Sequence, residues 1–204
     1  MPTPQGVLVN YLTAPANKPK TFNNQLYVWD TTDNQVPWGK DPEGSTGLTS
    51  DASTATRFLP FDYEDKGYIV GYAVAAETAA VCSTIYIPQG ASGDPTKWKY
   101  ASVGLLVVYS DSSVVQVQYT VLPAYKPAAR ANWVAVWQGS SVPYEGESLG
   151  QANIPSDAET GYAVIEGLGL TINTPYSVGY FMVAPGSGRT TLAAQATFTI
   201  GATK

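Results

Sequence analysis

The chain has 204 residues, a net charge of −5 and only 13 % charged residues, while apolar residues make up 44 % and aromatic residues 12 %. It has no histidine and a single cysteine, which excludes histidine-based acid–base catalysis, an internal disulfide and a zinc site built from several thiolates. The acidic balance argues against a nucleic-acid partner held through its phosphates. We therefore expect a non-enzymatic protein without a cofactor.

Short apolar runs separated by Gly, Pro, Asn and Asp follow one another along the chain, and none has the 3.6-residue period of an amphipathic helix. Nine of these runs predict strands, at residues 7–11, 25–29, 68–74, 84–87, 105–109, 115–121, 133–137, 176–183 and 196–200. The two runs on either side of Asp111 predict a β-hairpin. Short strands at this spacing predict an all-β fold, either a sandwich or a barrel.

The two halves of the chain resemble each other at an offset of 108 residues over most of the match and 106 residues around its middle. The offset pairs aromatic residues: Trp29 with Trp137, Trp38 with Tyr144, and Tyr68 with Tyr176. This self-similarity predicts an internal duplication of a sandwich-sized unit. The predicted organisation is one β-sandwich domain at 1–88, a linker or long loop at 89–104, and a second β-sandwich domain at 105–204.

The end of each repeat has a more specific pattern. Within residues 168–184, Leu170 is followed six residues later by Tyr176 and then by alternating apolar residues. This pattern resembles the E–F region of fibronectin type III domains and of related immunoglobulin-like sandwiches. The resemblance implies two tandem sandwiches of that kind. It also implies that Tyr176, and Tyr68 in the first repeat, pack over the core and hydrogen-bond to backbone upstream, which is a tyrosine corner.

Three tryptophans lie in the predicted strands that follow the Pro-rich segments. The fibronectin type III family has a Trp early, on strand B, and the resemblance implies a packing role for Trp29 and Trp137. Alternation places Trp133, Ala135 and Trp137 on one face of their strand. That face is either packed against other parts of the protein or an exposed binding face, and in the second case Trp133 contacts a ligand.

Loop aromatics are the other candidates for ligand contact. Trp38 and Tyr144 follow Val-Pro at matching positions, Trp98 lies between two lysines of the predicted linker, and Tyr125 lies in a Pro-rich segment. Aromatic rings on the loops of a rigid scaffold are typical of sugar stacking or protein contact. The alternative is that these rings pack on the edge of their own domain. Carboxylates cluster in the first repeat without counterparts in the second, so no metal site is expected.

These features predict a binding or adhesion protein that recognises a glycan or a protein surface through its loop aromatics. The alternative is a self-assembling structural subunit of a particle, appendage or inclusion, in which the chain forms a homo-oligomer. No apolar run is long enough to span a membrane. The N-terminus has no signal peptide, so we expect synthesis in the cytoplasm or the loss of a leader, and the final location stays open.

Overall fold

The computed structural model describes residues 2–3, 5–184 and 189–201, and their sheets are antiparallel. Short 3₁₀ turns lie at Thr78–Ala80, Pro95–Lys97 and Arg189–Thr191. The prediction of an all-β fold is confirmed. Among the described residues, no helix is both long enough and apolar enough to cross a membrane.

The chain divides into two compact units, and each unit draws on both halves of the sequence. Unit 1 comprises the residues up to Thr13, Asn17–Ser102 and Leu122–Tyr125. Unit 2 comprises Ala14–Ala16, Val103–Val121 and the residues from Lys126 onward. Each unit therefore includes a short Pro-containing segment that the predicted domain boundaries assign to the other half.

Unit 1 contains eight strands among the described residues: β1 (Pro2–Thr3), β2 (Gly6–Leu12), β3 (Gln25–Asp30), β4 (Gly44–Gly47), β5 (Thr54–Pro60), β6 (Tyr68–Ala73), β7 (Val81–Ile87) and β8 (Lys99–Ser102). They form a three-stranded sheet of order β1-β2-β5 and a five-stranded sheet of order β4-β3-β6-β7-β8. Val9 of β2 and Val28 of β3 belong to one buried cluster with Leu59 of β5. The core of unit 1 thus joins residues of both sheets, because side chains alternate between the faces of each strand.

The segment 89–104 is more ordered than the predicted linker or long loop. It contains the 3₁₀ turn Pro95–Lys97, whose first N–H groups include that of Thr96, donated to the Asp94 carboxylate at 3.2 Å. Strand β8 follows and pairs with β7, with Ser102 opposite Ser83. Most of this segment therefore extends the larger sheet of unit 1.

Unit 2 contains seven strands among the described residues: β9 (Gly104–Ser110), β10 (Val115–Thr120), β11 (Trp133–Gln138), β12 (Gly150–Asn153), β13 (Thr160–Ile165), β14 (Pro175–Phe181) and β15 (Leu192–Thr199). They form sheets of order β13-β10-β9 and β12-β11-β14-β15. The predicted hairpin around Asp111 is confirmed, since β9 and β10 pair antiparallel there. In the core, the rings of Tyr119 on β10 and Tyr180 on β14 lie 6.0 Å apart, so both sheets contribute to it.

Glycine fits two equivalent positions on the fourth strand of each repeat. A Cβ added to Gly71 would lie 3.2 Å from Cζ3 of Trp29, and one added to Gly179 would lie 2.9 Å from Cε2 of Phe181. Both distances are shorter than side chains normally tolerate. The absence of a side chain at these positions lets large rings lie directly against the strand.

Candidate binding face

The predicted ligand contacts Trp38 and Tyr125 pack against each other in unit 1. Their ring centroids lie 5.0 Å apart in an edge-to-face arrangement, and the Trp38 indole N–H donates to the carbonyl of Pro123 at 3.0 Å. The Tyr125 hydroxyl donates to the carbonyl of Ala79 at 2.7 Å. Only 1 % of Tyr125 is exposed, which corrects the expectation that this ring meets a ligand.

Trp98 also uses its polar atom inside unit 1. Its indole N–H donates to the carbonyl of Ala91 at 2.8 Å, and the residue is half-buried. The bond ties the start of strand β8 to the preceding turn. Trp98 therefore closes the segment that leads into the edge strand, and part of its ring meets solvent.

The tryptophan face of β11 is covered in unit 2. Trp133 stacks on Phe181 with centroids 4.2 Å apart, and its indole N–H donates to the carbonyl of Val183 at 2.7 Å. Ala14 and the half-buried Tyr144 pack against the same cluster. Trp133 is 2 % exposed, which corrects its assignment as a ligand contact: other residues of unit 2 occupy the face that a ligand would need.

The residues assigned to structural roles are all buried. Trp29 lies on β3 and donates its indole N–H to the carbonyl of Lys40 at 3.0 Å, and Trp137 lies in the cluster of Trp133. The hydroxyl of Tyr68 accepts the backbone N–H of residue 64 at 3.0 Å, four residues upstream. The hydroxyl of Tyr176 accepts the N–H of residue 171 at 2.7 Å, five residues upstream. Each tyrosine thus anchors the turn before its own strand.

Large exposed rings lie instead on the strands of the three-stranded sheet of unit 2. Side chains on its outer face come from β9, β10 and β13, and we call this surface the tyrosine face. Tyr109 and Tyr162 are 53 % and 52 % exposed. The face consists of Leu106, Val108, Tyr109, Gln116, Gln118, Tyr162 and Val164.

The strand register arranges these side chains in two rows. Gln116 lies between Tyr109 and Val164, and Gln118 lies between Leu106 and Tyr162. With strands about 4.8 Å apart and residues about 3.4 Å apart along a strand, the Cα atoms of the two tyrosines are about 12 Å apart on a diagonal. A shift of register beside Gln116 adds Val108 to the same surface.

Hydrogen bonds orient both tyrosines. The side-chain amide of Gln118 donates to the Tyr162 hydroxyl at 3.3 Å, and the Tyr109 hydroxyl donates to the Asp111 carboxylate at 2.9 Å. The bond to Asp111 raises the pKa of the Tyr109 phenol, which keeps the ring neutral. The three strands of this sheet contain no Asp, Glu, Lys or Arg. The tyrosine face is therefore a flat, uncharged surface with aromatic rings at its two flanks and amides between them.

Unit 1 has a corresponding surface on β2 and β5. Leu8 lies opposite Phe58, and Asn10 lies opposite Thr56, whose hydroxyl donates to the Asn10 amide oxygen at 2.5 Å. Leu8, Phe58 and Leu12 are exposed. Asn10 is equivalent to Gln118 at the offset of 108 residues, so an amide bonded across to the neighbouring strand occurs at the same position of both units.

Chemistry-bearing side chains do not converge elsewhere in the described residues. No group of three or more Asp, Glu, Cys or His residues that could hold a metal ion lies among them. Burial raises the pKa of the Cys82 thiol to about 12, so this side chain is not a thiolate nucleophile near neutral pH. An open hollow of about 260 Å³ in unit 1 is lined by Asp30 and Lys66, but their charges already form ion pairs with Lys40 and Glu64.

Comparison with known proteins gives distant likenesses. No protein-family model and no curated protein matches the chain. It is similar to a biofilm-associated protein BSP domain (13 % identity, TM-score 0.23, 87 % of this chain and 25 % of that one). It is also similar to a glycosyl hydrolase family 2 member from Bacteroides cellulosilyticus (5 %, 0.26, 95 % and 26 %) and to CBD12 from CALX1.2 (6 %, 0.20, 86 % and 73 %). The chain spans about a quarter of the first two, and at these TM-scores none of the likenesses bears on function.

Proposed function

We propose that this chain is a non-enzymatic binding protein that attaches to its partner through the tyrosine face and the corresponding surface of unit 1. The observation that carries the proposal is the group of five large hydrophobic side chains exposed together on one uncharged sheet face. Isolated exposed hydrophobic residues are common on proteins, whereas contiguous ones mark interaction sites. Two such faces on one chain strengthen attachment to a repetitive partner through avidity.

The architecture that presents these faces is, in this proposal, a duplicated immunoglobulin-like sandwich. Both units pair their strands in the same order when the extra edge strand β8 is set aside. The tyrosine turns at Tyr68 and Tyr176 are equivalent, and the ring pair Tyr11–Tyr72, with centroids 6.1 Å apart, matches the pair Tyr119–Tyr180. A sandwich exposes the outer face of each sheet on a rigid frame, which suits recognition without catalysis.

A retention experiment with a matched control tests the proposal. The chain is passed over immobilised polymers of several classes: dextran and galactomannan, the polyuronate alginate, and gelatin as a protein. The double variant Tyr109→Ser/Tyr162→Ser removes both rings of the tyrosine face. Tyr100→Ser serves as the control because Tyr100 is 65 % exposed on β8, away from that face.

We expect the double variant to weaken retention on a bound polymer at least about tenfold, since truncating central aromatic contacts commonly costs 2 kcal/mol or more. The Tyr100→Ser chain should behave as the unmodified chain does. Circular dichroism on each variant verifies that the fold is intact. The proposal fails if no polymer retains the chain, or if Tyr100→Ser weakens retention as much as the double variant.

A further inference from the structure

We infer that the tyrosine face binds a neutral, linear polysaccharide, with sugar rings on Tyr109 and Tyr162 and sugar hydroxyls on the glutamine amides. This inference rests on the proposed function and names its ligand class. The face has no charged side chain on any of its three strands, while the chain as a whole carries a net charge of −5. An anionic ligand would find no cation there and would be repelled by the rest of the protein. A neutral ligand meets neither obstacle.

The size of the face limits what it can hold. Three strands about 4.8 Å apart and six residues about 3.4 Å apart give a footprint of about 300 Å². A stable protein–protein interface buries about 800 Å² on each partner. The tyrosine face alone is therefore too small for a stable contact with a second copy of the chain or with a folded protein. A narrow polymer chain, in contrast, fits within this footprint.

The side chains match the chemistry of a sugar chain. Pyranose rings have apolar C–H faces and a periphery of hydroxyl groups, so they pack on aromatic rings and exchange hydrogen bonds with amides. A tyrosine ring offers a large rigid contact area at a small entropic cost. Gln116 and Gln118 each offer one acceptor and two donor hydrogens, and Gln118 already shares its amide with the Tyr162 hydroxyl.

The diagonal spacing distinguishes an extended chain from a single sugar. The Cα atoms of Tyr109 and Tyr162 are separated by about 12 Å, across the central strand. One sugar ring cannot contact both tyrosines at this distance, whereas an oligosaccharide lying across Gln116 and Gln118 contacts both. Leu106 and Val164 complete the two rows beside the tyrosines and keep the surface dry beneath the chain.

Affinity electrophoresis of the full chain tests this inference. Gels contain dextran, galactomannan or hydroxyethyl-cellulose as neutral probes, alginate as an anionic probe, and gelatin as a protein probe. Tyr109→Ser and Tyr162→Ser are run singly with Tyr100→Ser as the control, and Tyr162→Phe and Gln118→Leu separate the ring from its polar partners. Retardation by a bound neutral probe is then measured at about 50 mM and about 500 mM NaCl.

We expect at least one neutral probe to retard the chain, with affinity reduced about tenfold by each Tyr→Ser change and preserved by Tyr162→Phe and Tyr100→Ser. The affinity should change less than about twofold with salt, because no charged group takes part. Retardation by alginate or gelatin alone, lost in the Tyr→Ser variants, overturns the polysaccharide assignment and leaves the binding function standing. No retardation by any probe overturns both.

Discussion

Replacing Trp29 and Trp137 by phenylalanine, one at a time, should destabilise the two units unequally. The two tryptophans are equivalent in the repeats and equally buried. The indole N–H of Trp29 donates to the carbonyl of Lys40, whereas that of Trp137 has no hydrogen-bond partner among the described residues. The loop between the Trp and the following Val-Pro is two residues shorter in the second repeat, so no carbonyl equivalent to that of Lys40 reaches Trp137.

The magnitude follows from what each change removes. Both substitutions delete the same part of the ring, so the loss of packing is similar and cancels in the comparison. Trp29→Phe also removes a hydrogen bond with a net value of about 1 kcal/mol. Trp137→Phe removes a buried unsatisfied donor, which returns about 1 kcal/mol or more. Trp29→Phe should therefore be more destabilising by about 2 kcal/mol, which is about 30-fold in an opening equilibrium.

Native-state hydrogen exchange measures this difference separately in each unit. The amides of β3 report on Trp29→Phe and those of β11 report on Trp137→Phe, each relative to the unmodified chain. Trp133→Phe provides a control within the cluster of Trp137, because Trp133 is buried and its N–H is bonded to the carbonyl of Val183. It should resemble Trp29→Phe. Equal losses for Trp29→Phe and Trp137→Phe, or a larger loss for Trp137→Phe, would refute the reasoning.

Three further expectations concern single polar groups. Tyr68→Phe and Tyr176→Phe should each cost about 1 kcal/mol in chemical denaturation, because each leaves a backbone N–H without its acceptor; a cost near zero for both would show that the turns do not depend on the hydroxyl. Hydrogen bonds led by the backbone N–H of Ser113 lower the pKa of Asp111, so the turn stability that they add is present above the unfolded pKa of about 3.9 and is lost as pH falls through the folded pKa. Amide exchange of Ser113 should accelerate over that range, and Asp111→Asn should abolish the pH dependence. Cys82, with its buried thiol and a pKa raised to about 12, should resist alkylation in the native chain and react on unfolding, as mass spectrometry would detect.

Local sequence pattern was sufficient where the determining contacts are close in the chain. The hairpin around Asp111 followed from two apolar runs and a turn-forming residue, and the structure places the Asp111 carboxylate on the N–H groups of Ser113 and Val114. The strands around Trp29 and Trp137 were also anticipated by alternation alone. The strand β13 was not, although Tyr162 to Ile165 alternates between outward and inward residues. That alternation was the available signal for the tyrosine face.

Sequence pattern was insufficient where a distant segment decides whether a face is covered. Alternation correctly groups Trp133 with Trp137, but it does not indicate that Ala14 and Tyr144 pack over them. The same holds for Tyr125, whose partners Trp38 and Ala79 are 87 and 46 residues away. Period-2 patterns identify which side chains share a face, and only the tertiary fold determines what lies against it.

The equivalent positions of the two repeats differ in a way that supports the tyrosine face as the working surface. Inward positions keep their residues: Tyr11 and Tyr119, Val28 and Val136, Tyr72 and Tyr180. Outward positions of the three-stranded sheets change: Leu8 to Gln116, Thr56 to Tyr162, and Phe58 to Val164. Core substitutions commonly cost 2–5 kcal/mol, whereas surface substitutions stay near ±0.5 kcal/mol, so stability permits variation on the outer face. Stability alone would equally permit charged residues there, as on any solvated sheet. Their complete absence from all three strands of the unit 2 sheet, together with two oriented tyrosines, is what a neutral ligand requires and what solvation does not.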